Sequence, residues 1–495
     1  MSHRCLADCL EELRSAGELL RVEAEVDPVL EAGEITGRVA AGDGPALLFG
    51  SLKGHDIPVV TNLLGSEARI CRALGVTDLT ELADRIAALL HPAEPEGWLQ
   101  RLKTGPASAV LSQVRPRRVK AGACQQIVRL GRDVDLCGLP LLQSAPAEAG
   151  RAITAGLLLA AELDSHEPLV GRYDVQLLAA DRLAPCWAAH DEPARLLAEY
   201  GRRKEKMPVA IALGGDPAVL LAAAAPLPPG ADVYALAGLF RQRPLDVVPC
   251  RSVDLEVPAE SEFVVEGFID PSEPPVTAGP LCTPLGHYSL PRLAPVLHAT
   301  AVTHRANPIY SAMVPGRPPH EACVVQRALA RVFLPLTRLA IPELVDCDLP
   351  MSGAARHWAI LAVQKTYAGQ ARQVACRAWG LRQFMFAKLL VVVDQGIDVR
   401  SLEDVLAAMA ASVNPGRDVF FQQGPPDPWD PATPPGTLGQ RMAIDATAKL
   451  PDEHAGAWPK PAAMSEAIRQ VVSGRWPEYG IGTRDEGRGT RGEEI

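Results

Sequence analysis

The fold is decided by three neighbouring stretches of sequence: Leu169-Val-Gly-Arg-Tyr-Asp-Val-Gln176, Cys186-Trp-Ala-Ala-His190, and Arg203-Lys-Glu-Lys-Met-Pro-Val-Ala-Ile-Ala-Leu-Gly-Gly-Asp-Pro-Ala218. In the third stretch, Val209–Leu213 is an apolar run of strand length. It leads into Gly214-Gly-Asp-Pro217, which predicts a turn after the strand. Because this turn lacks the Lys-Ser/Thr pair of a phosphate-binding loop, the two glycines do not by themselves indicate a nucleotide site.

Short apolar runs extend outward from this centre in both directions. An N-terminal helical pattern followed by short strands predicts a small α/β unit. Strand-like runs dominate from about residue 120 to 315, and after 320 helical patterns alternate with strands, which predicts a second α/β unit. The runs that carry this interpretation are Cys5–Gly17, Leu19–Val22, Ala46–Phe49, Pro58–Thr61, Leu245–Val248, Glu262–Glu266, His357–Val363 and Lys388–Val393.

Proline, glycine and charge mark the predicted interruptions. Pro92–Arg118 mixes Pro, Gly and basic residues and is a predicted domain boundary. Gln422–Gly436 is rich in proline and is expected to be irregular, and the charged tail Arg484–Ile495 is expected to fray. Three domains are therefore predicted, over residues 1–115, 116–320 and 321–495.

Composition excludes several classes of protein. The 495 residues carry a net charge of −10 and a pI near 5.6, which gives no electrostatic footprint for nucleic acid. The 11 cysteines show no metal-ligand spacing and favour a reducing compartment. No signal peptide or membrane-spanning apolar run is recognised, so we expect a cytoplasmic protein that does not bind membranes.

The opening stretch resembles a motif of the UbiD family of decarboxylases, which reads Asn-x-Gly-x-Tyr-Arg-x-Gln. Its Gly, Tyr and Gln correspond to Gly171, Tyr173 and Gln176. Further matches run along nearly the whole chain, among them Val257–Gly267, Lys365–Ala371, Asn414–Asp418 and Ile444–Thr447. The resemblance implies an α/β (α+β) protein with an N-terminal α/β unit, a central split β-barrel that holds a flavin, and a C-terminal α/β domain with a terminal helix. Dimers, often assembled into hexamers, are the family's usual state.

Family chemistry needs an electron sink for the carbanion left by CO₂, and prenylated FMN supplies it. A Glu-Arg-Glu set provides the proton and the charge balance. The family segment Glu-Gly-Pro-Phe-Gly-Glu corresponds to Ala278-Gly-Pro-Leu-Cys-Thr283. Ala278 and Thr283 therefore stand at the glutamate positions, and Asp174 stands at the arginine position.

The family also bridges the flavin phosphate to the protein through Mn²⁺ or Mg²⁺, with a K⁺ ion nearby. Its Asn, His and Glu ligands correspond here to Leu169, His190 and Val233, so His190 alone is a candidate ligand. Asp232 is adjacent to Val233, but a one-residue shift in a strand would point it to the opposite face. The remaining cofactor-binding candidates are Gly171, Arg172, Tyr173, Gln176 and Lys388; Arg172 and Lys388 are assigned there as possible cations.

Three functions remain open on this reading. The chain is a carboxy-lyase for an aromatic or α,β-unsaturated acid whose standard mechanism is altered or lost; or a non-catalytic scaffold or regulatory subunit of an active paralogue; or a protein that binds another ligand in the flavin cleft. Cys282 lies near His287, and a thiol with a histidine base is a further candidate pair. The more ordinary interpretation of each of these residues is structural.

Overall fold

The computed structural model describes residues 3–90, 113–228, 230–433, 437–454, 456, 458–459, 462 and 464–480. The chain divides into two compact units, Met1–Thr447 and Ala448–Ile495. The second unit contains the helix Glu466–Gly474 and a short 3₁₀ turn, Trp476–Tyr479. Every residue of the candidate site lies in the first unit.

Helices and strands alternate along the chain. The helices are α1 Leu6–Ser15, α2 Glu31–Ala41, α3 Glu67–Leu74, α4 Leu79–Leu90, α5 Glu192–Arg203, α6 Pro217–Ala224, α7 Val233–Arg241, α8 Glu321–Val332, α9 Leu334–Ala340, α10 Gln370–Trp379, α11 Leu402–Ser412, α12 Pro415–Asp418 and α13 Glu466–Gly474. The strands are β1 Leu19–Val26, β2 Ala46–Leu52, β3 Val59–Thr61, β4 Arg117–Arg118, β5 Ile127–Leu130, β6 Ala152–Ile153, β7 Leu157–Ala161, β8 Pro168–Arg172, β9 Asp174–Ala179, β10 Arg182–Cys186, β11 Met207–Leu213, β12 Asp246–Pro249, β13 Glu256–Pro258, β14 Phe263–Ile269, β15 Val276–Ala278, β16 Arg292–Ala294, β17 Leu297–His304, β18 Tyr310–Ser311, β19 Leu344–Asp348, β20 Trp358–Val363, β21 Leu389–Asp394, β22 Val419–Gly424 and β23 Gly439–Asp445.

The centre of the molecule is a nine-stranded antiparallel sheet that curls into a half-barrel. Its strand order is β6-β9-β10-β17-β14-β11-β7-β8, with β5 added beside β17. Side chains of β11 alternate between two cores, as the period of a strand requires. Val209 and Ile211 enter one core, whereas Ala210 and Ala212 face the other. The second core also contains residues of α6 and α7, so small side chains on this strand face let the helices lie close to the sheet.

Two smaller sheets flank the barrel. The N-terminal sheet has the order β1-β2-β3-β18, and its last strand comes from the segment that follows the barrel. The C-terminal sheet has the order β19-β20-β21-β23-β22, with β20, β21 and β23 parallel. Ala359–Val363 and Leu390–Val393 are buried along their whole length, as expected for parallel strands covered on both faces.

The structure confirms the α/β class and the barrel-centred architecture. Two local predictions are wrong. Val233 is not on a strand, because Asp232 caps α7 by accepting from the backbone N–H groups of Tyr234 and Ala235. Gln422–Gly424 is not irregular, because these residues pair with β23. Most of the predicted boundary Pro92–Arg118, and the tail Arg484–Ile495, lie outside the described residues.

Among the residues that the structure describes, no helix is both long enough and apolar enough to cross a membrane.

Candidate active site

The chain turns a corner at Tyr173, between two strands with different neighbours. β8 ends at Arg172 and pairs with β7, whereas β9 begins at Asp174 and pairs with β6 and β10. Leu169 belongs to the barrel core and Val170 to the opposite core. Since side chains alternate along a strand, Arg172 lies on the strand face opposite Leu169.

Arg172 and Asp174 form an ion pair at this corner. Arg172 Nη1 donates to the carbonyl oxygen of Thr154 at 2.8 Å and to Asp174 Oδ1 at 3.1 Å. The two side chains are only 18% and 23% exposed, so the pair is partly shielded from water. Asp174, the residue predicted at the family arginine position, thus has a guanidinium directly beside it.

Gln176 ties the corner to the segment that contains Ala278. Its Oε1 accepts from the backbone N–H of Gly279 at 2.7 Å, across 103 residues of sequence. Gly279 has φ +78°, a conformation that glycine adopts readily. The side chain of Gln176 therefore fixes the start of the loop between β15 and β16.

Ala278 is fully buried at the end of β15. Its neighbours form a small apolar cluster, which also contains Ala152, Ala184, Cys186, Leu281 and Ala294. The nearest cation is Arg292, which lies opposite Ala278 in β16 and whose Nη2 donates to the Cys186 carbonyl at 3.1 Å. The residue predicted at the first glutamate position is therefore part of a packed cluster.

Thr283 is also buried, and its polar groups are used within the loop. Its N–H donates to the His287 carbonyl at 2.8 Å, and its hydroxyl accepts from the His287 N–H at 3.4 Å. Cys282 Sγ contacts the Thr283 carbonyl at 3.7 Å, whereas His287 Nδ1 contacts the Leu285 carbonyl at 3.1 Å. Burial, with Glu148 and Asp174 nearby, raises the pKa of Cys282 to about 11, so its thiol stays protonated at neutral pH.

Aromatic rings surround the other face of the corner. A Cβ on Gly171 would lie 2.6 Å from the Tyr173 ring, so that ring packs directly on the glycine backbone. Tyr173 meets Trp187 edge-on with centroids 6.3 Å apart, and His190 packs on Phe386 at 5.2 Å. Burial raises the pKa of Tyr173, an effect that the charge of Arg382 opposes. His190 therefore connects the barrel to the C-terminal sheet region.

The donor set for a divalent metal is poor. Leu169 is buried in an apolar core, and Val233 is the first residue of α7. Asp232 already accepts two backbone hydrogen bonds through Oδ1. No group of three or more His, Cys, Asp or Glu side chains suited to a metal occurs in the part of the chain that the structure describes. Mg²⁺ and Mn²⁺ prefer several oxygen ligands, so His190 does not make a fitting site for either.

Lys388 lies beside a set of charged residues that sequence reasoning missed. Its Nζ donates to Asp430 Oδ1 at 2.9 Å. Arg356 lies between the rings of Phe386 and Trp429, 4.2 and 4.4 Å from their centroids, and donates to Asp427. Asp427 accepts from Arg356 and contacts His357, and these partners hold its pKa well below the usual range. The sequence Pro-Pro-Asp-Pro-Trp-Asp from Pro425 was predicted only to be irregular, although its two aspartates are a signal for ion pairs with basic residues.

Comparison with known proteins defines the class. Three family models of 3-octaprenyl-4-hydroxybenzoate carboxy-lyase match this chain. The model of the N-terminal domain matches residues 10–89, that of the Rift-related domain residues 117–318, and that of the C-terminal domain residues 323–446. The chain therefore belongs to the UbiD family, and the predicted family is confirmed.

Two relatives extend along almost the whole chain. An uncharacterized protein of Aquifex aeolicus (strain VF5) is 38% identical over 482 residues, which cover 97% of this chain and 99% of that protein. Uncharacterized protein sll0936 of Synechocystis sp. (strain ATCC 27184 / PCC 6803 / Kazusa) is 37% identical over 484 residues, covering 97% of this chain and 96% of the relative.

Solved structures match with similar coverage. The closed form of Sedimentibacter hydroxybenzoicus vanillic acid decarboxylase is 27% identical, with a TM-score of 0.86 over 97% of this chain and 100% of that one. Its open form gives a TM-score of 0.77, again at 27% identity, covering 97% of this chain and 99% of that one. The UbiD-class enzyme HmfF from Pelotomaculum thermopropionicum, in complex with FMN, is 29% identical, with a TM-score of 0.76 over 94% of this chain and 99% of that one.

Proposed function

We propose that this chain binds a flavin nucleotide and decarboxylates an aromatic or α,β-unsaturated carboxylic acid without the Glu-Arg-Glu set. The observation that carries the proposal is the partly buried guanidinium of Arg172 beside the family's arginine position. Only its Nη1 atom is engaged in the hydrogen bonds to Thr154 and Asp174. A planar guanidinium held in this way is suited to receive a carboxylate.

The flavin half of the proposal is supported by solved relatives that hold FMN or prenylated FMN. In this chain the partly buried rings of Tyr173 and Trp187 offer apolar surface beside the corner, which suits contact with a planar ring system. The divalent metal does not fit the residues present, and no step is assigned to it.

Each residue then has a physical role. Arg172 would bind and orient the substrate carboxylate, and Asp174 with the Thr154 carbonyl would hold Arg172 in place. Gln176 would position the loop at Gly279. A bound prenylated flavin would supply the electron sink for the pair of electrons left by CO₂.

The test uses protein co-expressed with a flavin prenyltransferase and purified without oxygen. Its visible spectrum and native mass report a bound flavin, and release of CO₂ from 4-hydroxybenzoate and cinnamate reports activity. We expect Arg172→Ala to weaken binding of these acids about 10- to 100-fold, because a charge-assisted hydrogen bond contributes roughly 1.5–3 kcal/mol. Arg202→Ala, on the exposed face of α5, is the matched control. Equal affinities for the two variants would remove Arg172 from the site.

A second candidate, a non-catalytic subunit paired with an active paralogue, is favoured by one observation. Neither Ala278 nor Thr283 carries a titratable proton, and both are packed or hydrogen-bonded internally. A colourless, folded protein that binds no flavin and releases no CO₂ would favour this candidate.

We also propose that the chain forms a homo-oligomer, a dimer or a hexamer. The support is β5, where Ile127, Val128 and Leu130 are all exposed, and a relative described as an evolved dimeric form of HmfF. Native mass spectrometry tests this proposal, and a monomer at micromolar concentration would contradict it.

A further inference from the structure

A cavity of about 50 Å³ lies where α2, the end of β3 and the segment Val314–Glu321 meet. Its polar lining comes from Thr36, Asn62, Arg317, His320 and Glu321. A polar cavity of this size has room for a few water molecules. No role has been assigned so far to any of these side chains.

Three buried side chains of this lining, Asn62, His320 and Glu321, have a polar atom without a partner among the described residues. Glu321 is 4% exposed. Its Oε1 accepts from the Leu64 N–H at 2.7 Å, whereas its Oε2 has no partner among the described residues. His320 is 5% exposed, and burial lowers its pKa, so the ring is neutral. Its Nε2 must donate to the Pro284 carbonyl at 2.9 Å, which leaves Nδ1 as an acceptor; within the described chain Nδ1 has no partner.

The cavity lies directly behind the loop that contains Thr283. His320 is bonded to Pro284, the residue after Thr283. A Cβ on Gly286 would lie 2.9 Å from the Arg317 backbone, so the loop and the cavity wall are in close contact. The cavity segment therefore packs on the position of the second family glutamate.

The same segment also reaches the Arg172–Asp174 pair. The Met313 N–H, one residue before the cavity wall, donates to Thr154 Oγ1 at 3.1 Å. The carbonyl of Thr154 holds Arg172. Arg172 is also close enough to lower the pKa of Glu321 and of His320. The proposed carboxylate-binding group and the cavity are thus neighbours.

Glu321 has the protonation behaviour that a proton donor needs. Burial raises its pKa to about 7, against the opposing effects of the Leu64 N–H, Arg69, Arg172 and the Asn62 N–H. A carboxyl group that titrates near neutral pH can both hold and release a proton there. The other charged or titratable groups around it are Arg69, which is paired with Glu18 at 3.0 Å, Arg172, Arg317 in the cavity lining, and the neutral His320, whose Nε2 also contacts the Cys323 thiol at 3.2 Å.

We propose that Glu321 supplies the proton of the reaction through water in this cavity, in place of the groups absent at Ala278 and Thr283. The inference rests on the proposed function. The bond between the carboxylate and the substrate carbon breaks, CO₂ leaves, and the electron pair stays with the substrate. A C–H bond forms with a proton from cavity water, Glu321 replaces that proton, and solvent reprotonates Glu321. His320 Nδ1 accepts a hydrogen bond from the water and orients it.

The test compares two buried glutamates in the flavin-loaded protein, with 4-hydroxybenzoate and cinnamate as probes. We expect Glu321→Gln to lower kcat by about 100-fold or more with KM little changed, because only proton transfer is lost. Glu262→Gln is the matched control. Glu262 is 2% exposed and its pKa is also raised to about 7, but it accepts from the Ile309 N–H and pairs with Arg305. Glu262 does not line the cavity, so this variant should retain its kcat.

A second variant leaves Glu321 unchanged and fills the cavity. A Cβ on Gly37, in α2, would meet no atom within 4 Å, and leucine is a better helix former than glycine. We expect Gly37→Leu to fold normally and to lose at least about tenfold in kcat, because proton transfer needs a positioned chain of water. Ala41→Leu, on the exposed end of the same helix, should change neither property.

The outcomes separate this inference from the function on which it rests. A wild-type chain that binds no flavin defeats the proposed function. If the wild-type chain is active and both Glu321→Gln and Glu262→Gln have the wild-type kcat, only the proposed role of Glu321 is wrong. If Glu321→Gln fails to fold, full activity of Gly37→Leu overturns the inference and a selective loss supports it.

Discussion

The loop Ala278–Thr283 and the cavity at Glu321 are neighbours, but they differ in how fully their polar groups are hydrogen-bonded. In the loop, backbone N–H groups donate to Gln176, Glu148 and His287. In the cavity, Glu321 and His320 each keep one atom without a partner among the described residues. Within one fold, packing therefore decides where a proton can be moved. A loop with satisfied groups is structural, whereas a polar cavity with room for water can carry a proton.

Restoring a family glutamate in the packed region should have the largest effect. Ala278→Glu forces a carboxylate into the small apolar cluster, where it finds no space and where Arg292, opposite it in β16, already donates to the Cys186 carbonyl. We expect a loss of about 4 kcal/mol in the free energy of unfolding, from overpacking together with an unpaired buried charge. Urea denaturation measures the change.

The neighbouring residue provides the control for this substitution. Thr277 is exposed on the same short strand, so Thr277→Glu should change the free energy of unfolding by less than about 0.5 kcal/mol. If Ala278→Glu is as stable as Thr277→Glu, the position is not closed by packing, and the contrast between loop and cavity fails.

Much of the fold could be predicted from local patterns. The apolar runs at Val209–Leu213 and Leu389–Val393 became strands because their side chains suit sheets covered on both faces. Val233 begins a helix and not a strand because Asp232 caps its first turn, a local signal that a match to a family ligand does not include. Gln422–Gly424 was expected to be irregular because the prolines after it dominate the local composition.

The candidate site was less predictable, because its contacts join residues that are distant in sequence. Gln176 meets Gly279 across 103 residues, and Glu321 meets Leu64 across 257. No local pattern encodes such a pair. The motif stretch named the corner at Arg172 and Asp174, but nothing in the sequence shows that Glu321 keeps a free oxygen in a cavity.

The pH dependence of stability tests whether Glu321 titrates in the cavity. Glu321 has a pKa of about 7 in the folded chain, raised by burial from an ordinary value of 4.5. Below pH 4.5 both the folded and the unfolded chain carry the proton, so the contribution of Glu321 to stability is fully present. As the pH rises through about 7 that contribution is lost, to a total of about 3 kcal/mol at 1.36 kcal/mol per unit.

Glu321→Gln removes this titration, so its free energy of unfolding should gain about 3 kcal/mol relative to wild type between about pH 4 and about pH 8. Urea denaturation of both proteins across that range gives the difference. A difference that stays constant with pH would mean that Glu321 does not titrate in the folded chain, and the proton source would have to be sought elsewhere.

The smallest effect is expected at Thr283, which separates the loop from the cavity most directly. Its hydroxyl makes a single described hydrogen bond, a long one of 3.4 Å from the His287 N–H. Thr283→Val keeps the shape and removes the hydroxyl, so we expect a loss of about 0.5 kcal/mol in stability and a kcat within about twofold of wild type. Steady-state release of CO₂ at saturating substrate measures the second quantity. A tenfold loss of kcat in Thr283→Val, with the fold intact by circular dichroism, would show that the hydroxyl takes part in the proton path, and the loop would then belong to the chemistry with the cavity.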